Sequence, residues 1–173
     1  MRKDRAAVCV ATRGQMFIGV VVLLLCIQAA HAEEKEPFAV VELGGAAQWG
    51  LTNGSPSFGP SAAVEFEPIK NLLVIEAGLT PLFDNRGHSD WDFDLLFRHS
   101  FEVSKTVEFE PGIGPTVSSS GQFGAQASFE FMIWPWQERK FGWFVDPSYG
   151  VSFAPGHQQS LGLTLGIIIG FFP

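Results

Sequence analysis

Hydrophobic and polar residues alternate along most of this chain with a period of two. The pattern is clearest in the segment Trp91–Val103, whose odd positions are apolar except for His99 and whose even positions are polar except for Leu96. Alternation over this length exceeds the roughly 4–8 residues that usually signal a strand. It also exceeds the roughly 9–11 residues of a tilted membrane-spanning strand. The pattern therefore predicts a long β-strand with two chemically different faces.

Seven other segments show the same alternation, which gives an even number of strands. They are Phe38–Leu51, Ser61–Pro68, Leu72–Phe83, Val107–Val117, Ala125–Trp134, Phe141–Phe153 and Leu161–Phe172. Short, charged connections follow the even strands, whereas longer connections rich in glycine, serine and proline follow the odd ones. Short turns at one end and longer loops at the other are expected of outer-membrane barrels, with both termini in the periplasm.

The last strand favours a membrane barrel over a soluble one. One face of Leu161–Phe172 is bulky and apolar, while the other carries Gly162, Gly166 and Gly170, an arrangement that suits lipid on one side and a crowded lumen on the other. A soluble, lipocalin-like barrel alternates equally well but with its faces inverted, and its exterior strands are expected to carry lysine. The lysines after residue 32 all lie outside the predicted strands. We therefore predict an all-β, eight-stranded, antiparallel up-and-down transmembrane barrel.

The N-terminus predicts export. Basic residues precede an apolar run over residues 16–30, and the small-x-small sequence Ala30-His31-Ala32 follows that run. This order is typical of a secretory signal peptide, and the run is shorter than the roughly 20 residues that a spanning helix needs. We expect residues 1–32 to be the signal peptide, cleaved after Ala32, and residues 33–173 to form the barrel domain.

Composition narrows the candidate chemistry further. Both cysteines, Cys9 and Cys26, lie in the predicted signal peptide, so no disulfide or thiolate site is expected in the exported chain. That chain has 7 lysines and arginines against 17 acidic residues, a balance that argues against nucleic acid as a partner. No phosphate-binding glycine loop, zinc-ligand spacing or catalytic serine motif is present, so no cofactor is expected.

The C-terminal residues carry a family resemblance. The segment Thr164–Phe171 resembles the assembly signal of outer-membrane proteins, with Thr164, Gly166, Ile169 and Phe171 at its characteristic positions and Pro173 displacing the terminal aromatic by one. The exported chain resembles small barrels of the OmpA and OmpX kind. Stretches such as Glu76–Pro81 and Gly156–Gly162 look more closely like a family of hypothetical envelope proteins. The resemblance implies outer-membrane lipid and the barrel-assembly machinery as partners, and supplies no catalytic residues.

Acidic side chains dominate the predicted lumen. The predicted charge network consists of Arg98 with Glu42, Glu65, Glu67, Glu76, Asp92, Asp94, Glu108, Glu110, Glu130 and Asp146; Glu102 also falls on this face. An eight-stranded barrel is just wide enough for its side chains to fill, and buried charges are paired or neutralised. One interpretation is therefore a polar plug in which Arg98, the only predicted inward base, pairs with Glu76 or Glu110. The alternative is a narrow cation path or cation site, since oxygen-rich sites suit hard cations.

The predicted loops offer one enzymatic alternative. His88, Ser89, Asp90, His157 and Ser160 lie in two loops that a barrel could bring together, and some outer-membrane barrels modify lipid A with such residue types. No spacing here matches a known acyltransferase or deacylase motif. We therefore predict a non-enzymatic outer-membrane barrel with a role in envelope structure or surface interaction, and keep the pore and the rim enzyme as alternatives.

Overall fold

The computed structural model describes residues 37–52, 54–70, 72–85, 87–154 and 156–172. The predicted signal peptide, residues 1–32, lies outside the described residues, so its cleavage after Ala32 stays a prediction. Within the described ranges, no helix is long and apolar enough to cross a membrane. All regular structure in these ranges is β-strand.

The described chain forms one closed antiparallel sheet. Its strand segments are β1 (Ala39–Gly50), β2 (Pro56–Ile69), β3 (Leu73–Asp84), β4 (Ser89–Arg98), β5 (Phe101–Ser104), β6 (Val107–Ser118), β7 (Phe123–Ile133), β8 (Phe141–Ser152) and β9 (Gln159–Phe171). Apart from β4 and β5, which both pair with β6, each segment pairs with its neighbours in the chain, and pairing of β1 with β9 closes the barrel. Because β5 continues β4 along the same edge of β6, the barrel has eight strands, which confirms the predicted fold class.

The fourth barrel strand is interrupted at His99 and Ser100, which the alternation alone did not predict. The register with β6 does not shift across the gap, since Arg98 pairs with Gly112 and Phe101 pairs with Phe109. The residue opposite His99 is Pro111, which has no N–H to donate. Only the bond from the His99 N–H to the Pro111 carbonyl, at 3.2 Å, remains at this point. The interruption is therefore a local loss of one hydrogen bond within a single barrel strand.

The register fixes the width of the barrel. A path that steps from each residue to its paired residue on the next strand starts at Ala39 and returns to the same strand at Trp49, ten residues further along. This displacement is the stagger of the barrel. The path passes through Phe66, Ile75, Phe97, Ile113, Ala127, Tyr149 and Leu161. With eight strands, this stagger corresponds to a strand tilt of about 40° and a backbone radius of about 8 Å. An interior of this size is filled by side chains rather than by an open aqueous channel.

The two faces of the barrel decide between the membrane and soluble alternatives. Large apolar side chains point outward on every strand, and Leu43, Phe93 and Leu165 are 45%, 46% and 52% exposed. Carboxylates point inward, and Glu42 and Glu130 are only 4% and 0% exposed. A continuous apolar exterior of this extent is unfavourable in water but suits lipid. The faces are therefore those of a membrane barrel, and the inverted, soluble interpretation is wrong.

The connections differ from the predicted ones in length. We call the end with connections 51–55, 85–88, 119–122 and 153–158 the loop end, and the opposite end the turn end. The strands extend into the predicted loops, so the connections at the loop end are shorter than expected. The longest connection, 134–140, lies instead at the turn end, where a short charged turn was predicted. This segment is long because part of it covers the lumen, as described below.

Candidate functional site

Arg98 lies at the centre of the lumen and binds four carboxylates. Its side chain is fully buried. It forms ion pairs with Glu130 at 2.9 Å, with Asp146 at 3.2 Å, with Glu65 at 3.7 Å and, through Nε, with Glu76. These partners come from β2, β3, β7 and β8, so one guanidinium connects both sides of the barrel. Arginine suits this position because its planar group donates in several directions at once.

Neighbouring residues make room for this side chain. A Cβ added at Gly112, the residue paired with Arg98, would lie 2.6 Å from the Arg98 Cγ. Glycine at this position therefore lets the arginine stem lie flat against β6 and reach the barrel axis. The Nη1 group also donates to the main-chain carbonyl of Glu110 at 3.3 Å. Of the two partners predicted for Arg98, Glu76 pairs through its carboxylate, whereas Glu110 contributes its carbonyl oxygen.

Asp146 is held by main chain as well as by Arg98. Its Oδ2 accepts from Arg98 Nη2 at 3.2 Å, and its Oδ1 accepts from the Phe129 N–H at 3.2 Å. The regular ladder between β7 and β8 is interrupted here, next to Pro147, which cannot donate to its partner strand. The Asp146 carboxylate thus accepts a hydrogen bond from the Phe129 N–H, which the interrupted ladder leaves available.

The carboxylates around Arg98 outnumber it. One oxygen from each of Glu42, Glu65, Glu76 and Glu130 lies within 4.8 Å of the others, and all four residues are buried. Asp94 and Asp146 lie beside Glu42 and Glu76 along the cavity described below. Ionised carboxylates only accept hydrogen bonds, so oxygens this close together are stabilised only by a proton or a cation near them. Arg98 alone therefore does not balance this group.

A second arginine closes the turn end of the lumen. Arg139 is 1% exposed and pairs with Glu108 at 2.6 Å and with Glu102 at 2.9 Å. The Trp134 Nε1 donates to the other Glu108 oxygen at 2.7 Å. The prediction that Arg98 is the only inward base is therefore wrong. Trp134, which ends the predicted strand Ala125–Trp134 on the same face as Glu130, is 1% exposed inside the barrel.

One feature of the sequence, separate from the alternation, indicates that a second base is needed inside the barrel. Glu102 and Glu108 fall at the turn end, away from Arg98, and need a counter-charge there. Arg139 lies in a connection outside the strands, where period two makes no prediction. Its backbone adopts a positive φ of 49°, which is uncommon for a residue with a side chain. The backbone at Arg139 is thus somewhat strained in the conformation that places its side chain in the lumen.

An apolar cluster fills the lumen beside the second arginine. It comprises Val40, Met132, Trp134, Phe144 and Ile168, all buried. Gly166 on the inner face of β9 belongs to this packing, whereas Gly162 lines the cavity nearer the loop end. A Cβ at Gly166 would lie 2.7 Å from the Phe144 ring and 2.6 Å from the Gly44 Cα. Glycine therefore permits close approach of the ring and of β1 at the seam where the barrel closes.

A cavity of about 60 Å³ opens on the loop-end side of Arg98. Half-buried Gln48, Thr80 and Gln126 line it near the loop end of their strands. Its deeper acidic residues are Glu42, Glu76, Asp94 and Asp146, with Asp92 closer to the loops. Asp94 lies against Gly78, where a side chain would displace it. The lumen is therefore divided into a small acidic cavity, an Arg98 layer and a plugged turn end.

The predicted charge network is thus distributed over three levels. Arg98 gathers Glu65, Glu76, Glu130 and Asp146, with Glu42, Asp94 and Glu110 beside it. Glu108 belongs to the Arg139 group, and half-buried Glu67 lies near it. Asp92 lines the cavity without joining either arginine. What these residues do for function stays a hypothesis.

The predicted rim residues do not assemble into a catalytic arrangement. His88 contacts Asp84 at 3.2 Å, and Asp90 accepts from Ser119 at 2.5 Å and from Ser120 at 3.2 Å. Within the described residues, no side-chain hydrogen bond joins His88 or His157 to a serine. Instead, Ser160 accepts from Gln48. A nucleophile needs a base within hydrogen-bonding reach, so the rim-enzyme alternative gains no support from these contacts.

The residues of the predicted assembly signal all lie on β9. Thr164 faces the cavity, and Gly166 faces Phe144 in the lumen. Phe171, by contrast, is 47% exposed on the outside near the turn end, and Ile169 shares its outward face. Recognition by the assembly machinery stays a prediction.

Comparison with solved structures finds the same fold in bacterial surface proteins. The barrel is similar to Neisserial surface protein A, with a TM-score of 0.62 and 11% identity over 77% of this chain and 97% of that one. It is also similar to Ail, the attachment invasion locus protein of Yersinia pestis, in complex with the heparin analogue sucrose octasulfate (TM-score 0.51, 12% identity, 78% and 99% covered). A designed transmembrane β-barrel gives a TM-score of 0.53 at 12% identity, with 79% and 98% covered. No family model and no curated protein sequence matches this chain.

Proposed function

We propose that this chain is a bacterial outer-membrane barrel that does not conduct and does not catalyse, and that serves in envelope structure or surface interaction. The observation that carries the proposal is the combination of an apolar exterior with a lumen closed by side chains. In the orientation usual for such barrels, the termini and the turn end lie in the periplasm and the loop end faces outward. Outer-membrane lipid and the assembly machinery are then the expected partners.

The closed lumen argues against the pore alternative. A conducting path must continue through both ends of a barrel, and hydrophobic constrictions block ions by excluding water. At the turn end, Trp134, Phe144 and Ile168 are at most 2% exposed and pack together. Arg139 covers the same end, bound to Glu102 and Glu108. An ion entering from the loop end therefore meets a fully packed layer.

The chemistry of the loop end limits the kind of partner. Ail was solved with a polyanionic heparin analogue. In this chain Asp84, Asp90 and Asp92 lie at the loop end. Like charges across an interface cost several kcal/mol. A polyanion is accordingly not the expected ligand here, and neutral or cationic surfaces fit better.

Expression in a Gram-negative host tests the location and the closed lumen together. We expect the protein in the outer-membrane fraction, with an N-terminus at Glu33 and faster migration on gels before heating than after. In planar bilayers, the folded protein should show no channel openings. A soluble periplasmic product would contradict the membrane assignment. Steady cation conductance from protein with correct gel mobility would instead overturn the closed lumen alone.

A further inference from the structure

Glu42, which lines the cavity on the loop-end side of Arg98, has a buried carboxylate oxygen without a partner. Glu42 is 4% exposed, lines the cavity, and its Oε1 accepts no hydrogen bond from any described residue. Glu42 also takes part in none of the ion pairs of the described barrel, whereas Glu65, Glu76, Glu130 and Asp146 each reach Arg98. A buried, unpaired carboxylate is costly unless a cation or a proton satisfies it.

Other carboxylates crowd around Glu42. One oxygen from each of Glu42, Glu65, Glu76 and Glu130 lies within 4.8 Å of the others. Ionised carboxylates can only accept hydrogen bonds, so a group this close together is stabilised by a proton or a cation near its oxygens. Because Glu42, Glu76 and Asp94 line the cavity, a cation that enters it reaches this group. The unpartnered oxygen and the crowded carboxylates therefore point to the same place.

The donor set selects the class of cation. The residues lining the cavity offer carboxylate, hydroxyl and amide oxygens and no sulfur or imidazole ligand. Oxygen-only sites suit hard cations such as Ca²⁺, Mg²⁺ and Mn²⁺ rather than zinc or copper. Ca²⁺ accepts six to eight oxygens in flexible geometry, whereas Mg²⁺ demands a near-ideal octahedron. The irregular arrangement of side chains from several strands fits Ca²⁺ best.

The size of the cavity also suits a partly hydrated ion. About 10–15 Å³ of such space holds one water molecule. The cavity of about 60 Å³ therefore accommodates one cation with a few of its waters. Arg98 lies on the turn-end side of these carboxylates, and its positive charge repels a metal ion from that side. The ion is therefore expected on the side of Glu42 that faces the cavity.

We propose that the loop-end cavity is a binding site for one hard divalent cation, Ca²⁺ in the first instance, with Glu42 and Glu76 as ligands and Asp94 beside them. The site does not require the surface role proposed above, only the closed barrel fold. An ion held there lies above the plugged turn end and does not pass through the barrel. Carboxylates bind a metal ion in their deprotonated form, so the ion competes with protons and binding strengthens as pH rises.

Calorimetric titration of the refolded barrel with CaCl₂ tests the site, with folding checked by gel mobility before and after heating. We expect saturable binding with one ion per chain, and a heat that varies with the ionisation enthalpy of the buffer because protons are released. The variant Glu42→Gln should weaken binding at least tenfold, while exposed Glu138→Gln serves as the matched control and should bind like the parent. Asp94→Asn provides a second variant on another strand.

The outcomes separate this site from the fold that carries it. Loss of binding in Glu42→Gln and Asp94→Asn, with retention in Glu138→Gln, supports the proposal. A folded parent that shows no saturable Ca²⁺ binding overturns the site and leaves the membrane barrel intact. Undiminished binding in both lumen variants also overturns it, because the ion would then lie at the rim. Failure of the parent to fold in detergent would instead contradict the barrel assignment.

Discussion

Replacing Arg98 with methionine tests how the lumen balances its charge. Methionine keeps most of the volume and removes the cation that contacts Glu65, Glu76, Glu130 and Asp146. The folded variant must then take up at least one proton to replace the lost positive charge. At pH 7 this costs about 3.7 kcal/mol, from the pKa of about 4.3 that a glutamate has in the unfolded chain. The estimate falls within the roughly 3–5 kcal/mol typical of breaking a buried ion pair.

The destabilisation by Arg98→Met depends on pH because a proton replaces the lost charge. The folded variant holds a proton that the unfolded variant releases above pH 4.3, so its stability relative to the parent decreases as pH rises. At pH 5 the cost of that proton is only about 1 kcal/mol. We therefore expect the destabilisation by Arg98→Met to shrink from about 4 kcal/mol at pH 7 to about 1 kcal/mol at pH 5.

Urea unfolding in lipid vesicles, followed by tryptophan fluorescence, measures this difference. Lys105→Met is the matched control, because Lys105 is exposed in the turn between β5 and β6. It should change the free energy of unfolding by no more than about 0.5 kcal/mol at either pH. A loss below about 1 kcal/mol for Arg98→Met at pH 7, or an equal loss at both pH values, would refute the charge balance described here.

The packing of the turn end and of the barrel seam gives two further predictions. Gly166→Leu places a side chain against Phe144 and the facing main chain of β1, so it should abolish the fast-migrating gel band of the folded protein. Gly45→Ala is the control and should keep that band, because its Cβ meets no atom nearer than 3.9 Å. A normal folded band for Gly166→Leu would contradict the close packing at the seam. Trp134→Phe removes the donor to Glu108 and should lower the unfolding free energy by about 1.5–3 kcal/mol. The exposed Trp136→Phe is its control, and equal effects of the two variants would show that Trp134 is not buried.

The alternation of residues was sufficient to predict the barrel because burial on only one face imposes period two on every strand. It placed Glu42, Glu76 and Asp146 inward and Phe93 and Leu165 outward, as the structure does. The comparisons confirm the fold class through structures with at most 12% identity. Very different sequences form this fold, since lipid and lumen constrain the polarity of each position rather than its identity.

Features outside the strands could not be obtained in this way. Arg139 reaches the lumen from a connection, and its direction depends on a turn conformation with positive φ. The interruption at His99 depends on Pro111 in the partner strand, which no local window includes. Each of these features is determined by tertiary context rather than by local periodicity.

The orientation of the two faces is the central claim, and spin labelling of β4 tests it most directly. The chain after residue 32 contains no cysteine, so single cysteines at positions 92, 93, 94 and 95 can be labelled one at a time. In lipid vesicles, labels replacing Phe93 and Leu95 should be relaxed strongly by oxygen dissolved in the bilayer, and those replacing Asp92 and Asp94 only weakly. Higher oxygen accessibility at positions 92 and 94 than at 93 and 95 would contradict a membrane barrel with its carboxylates in the lumen.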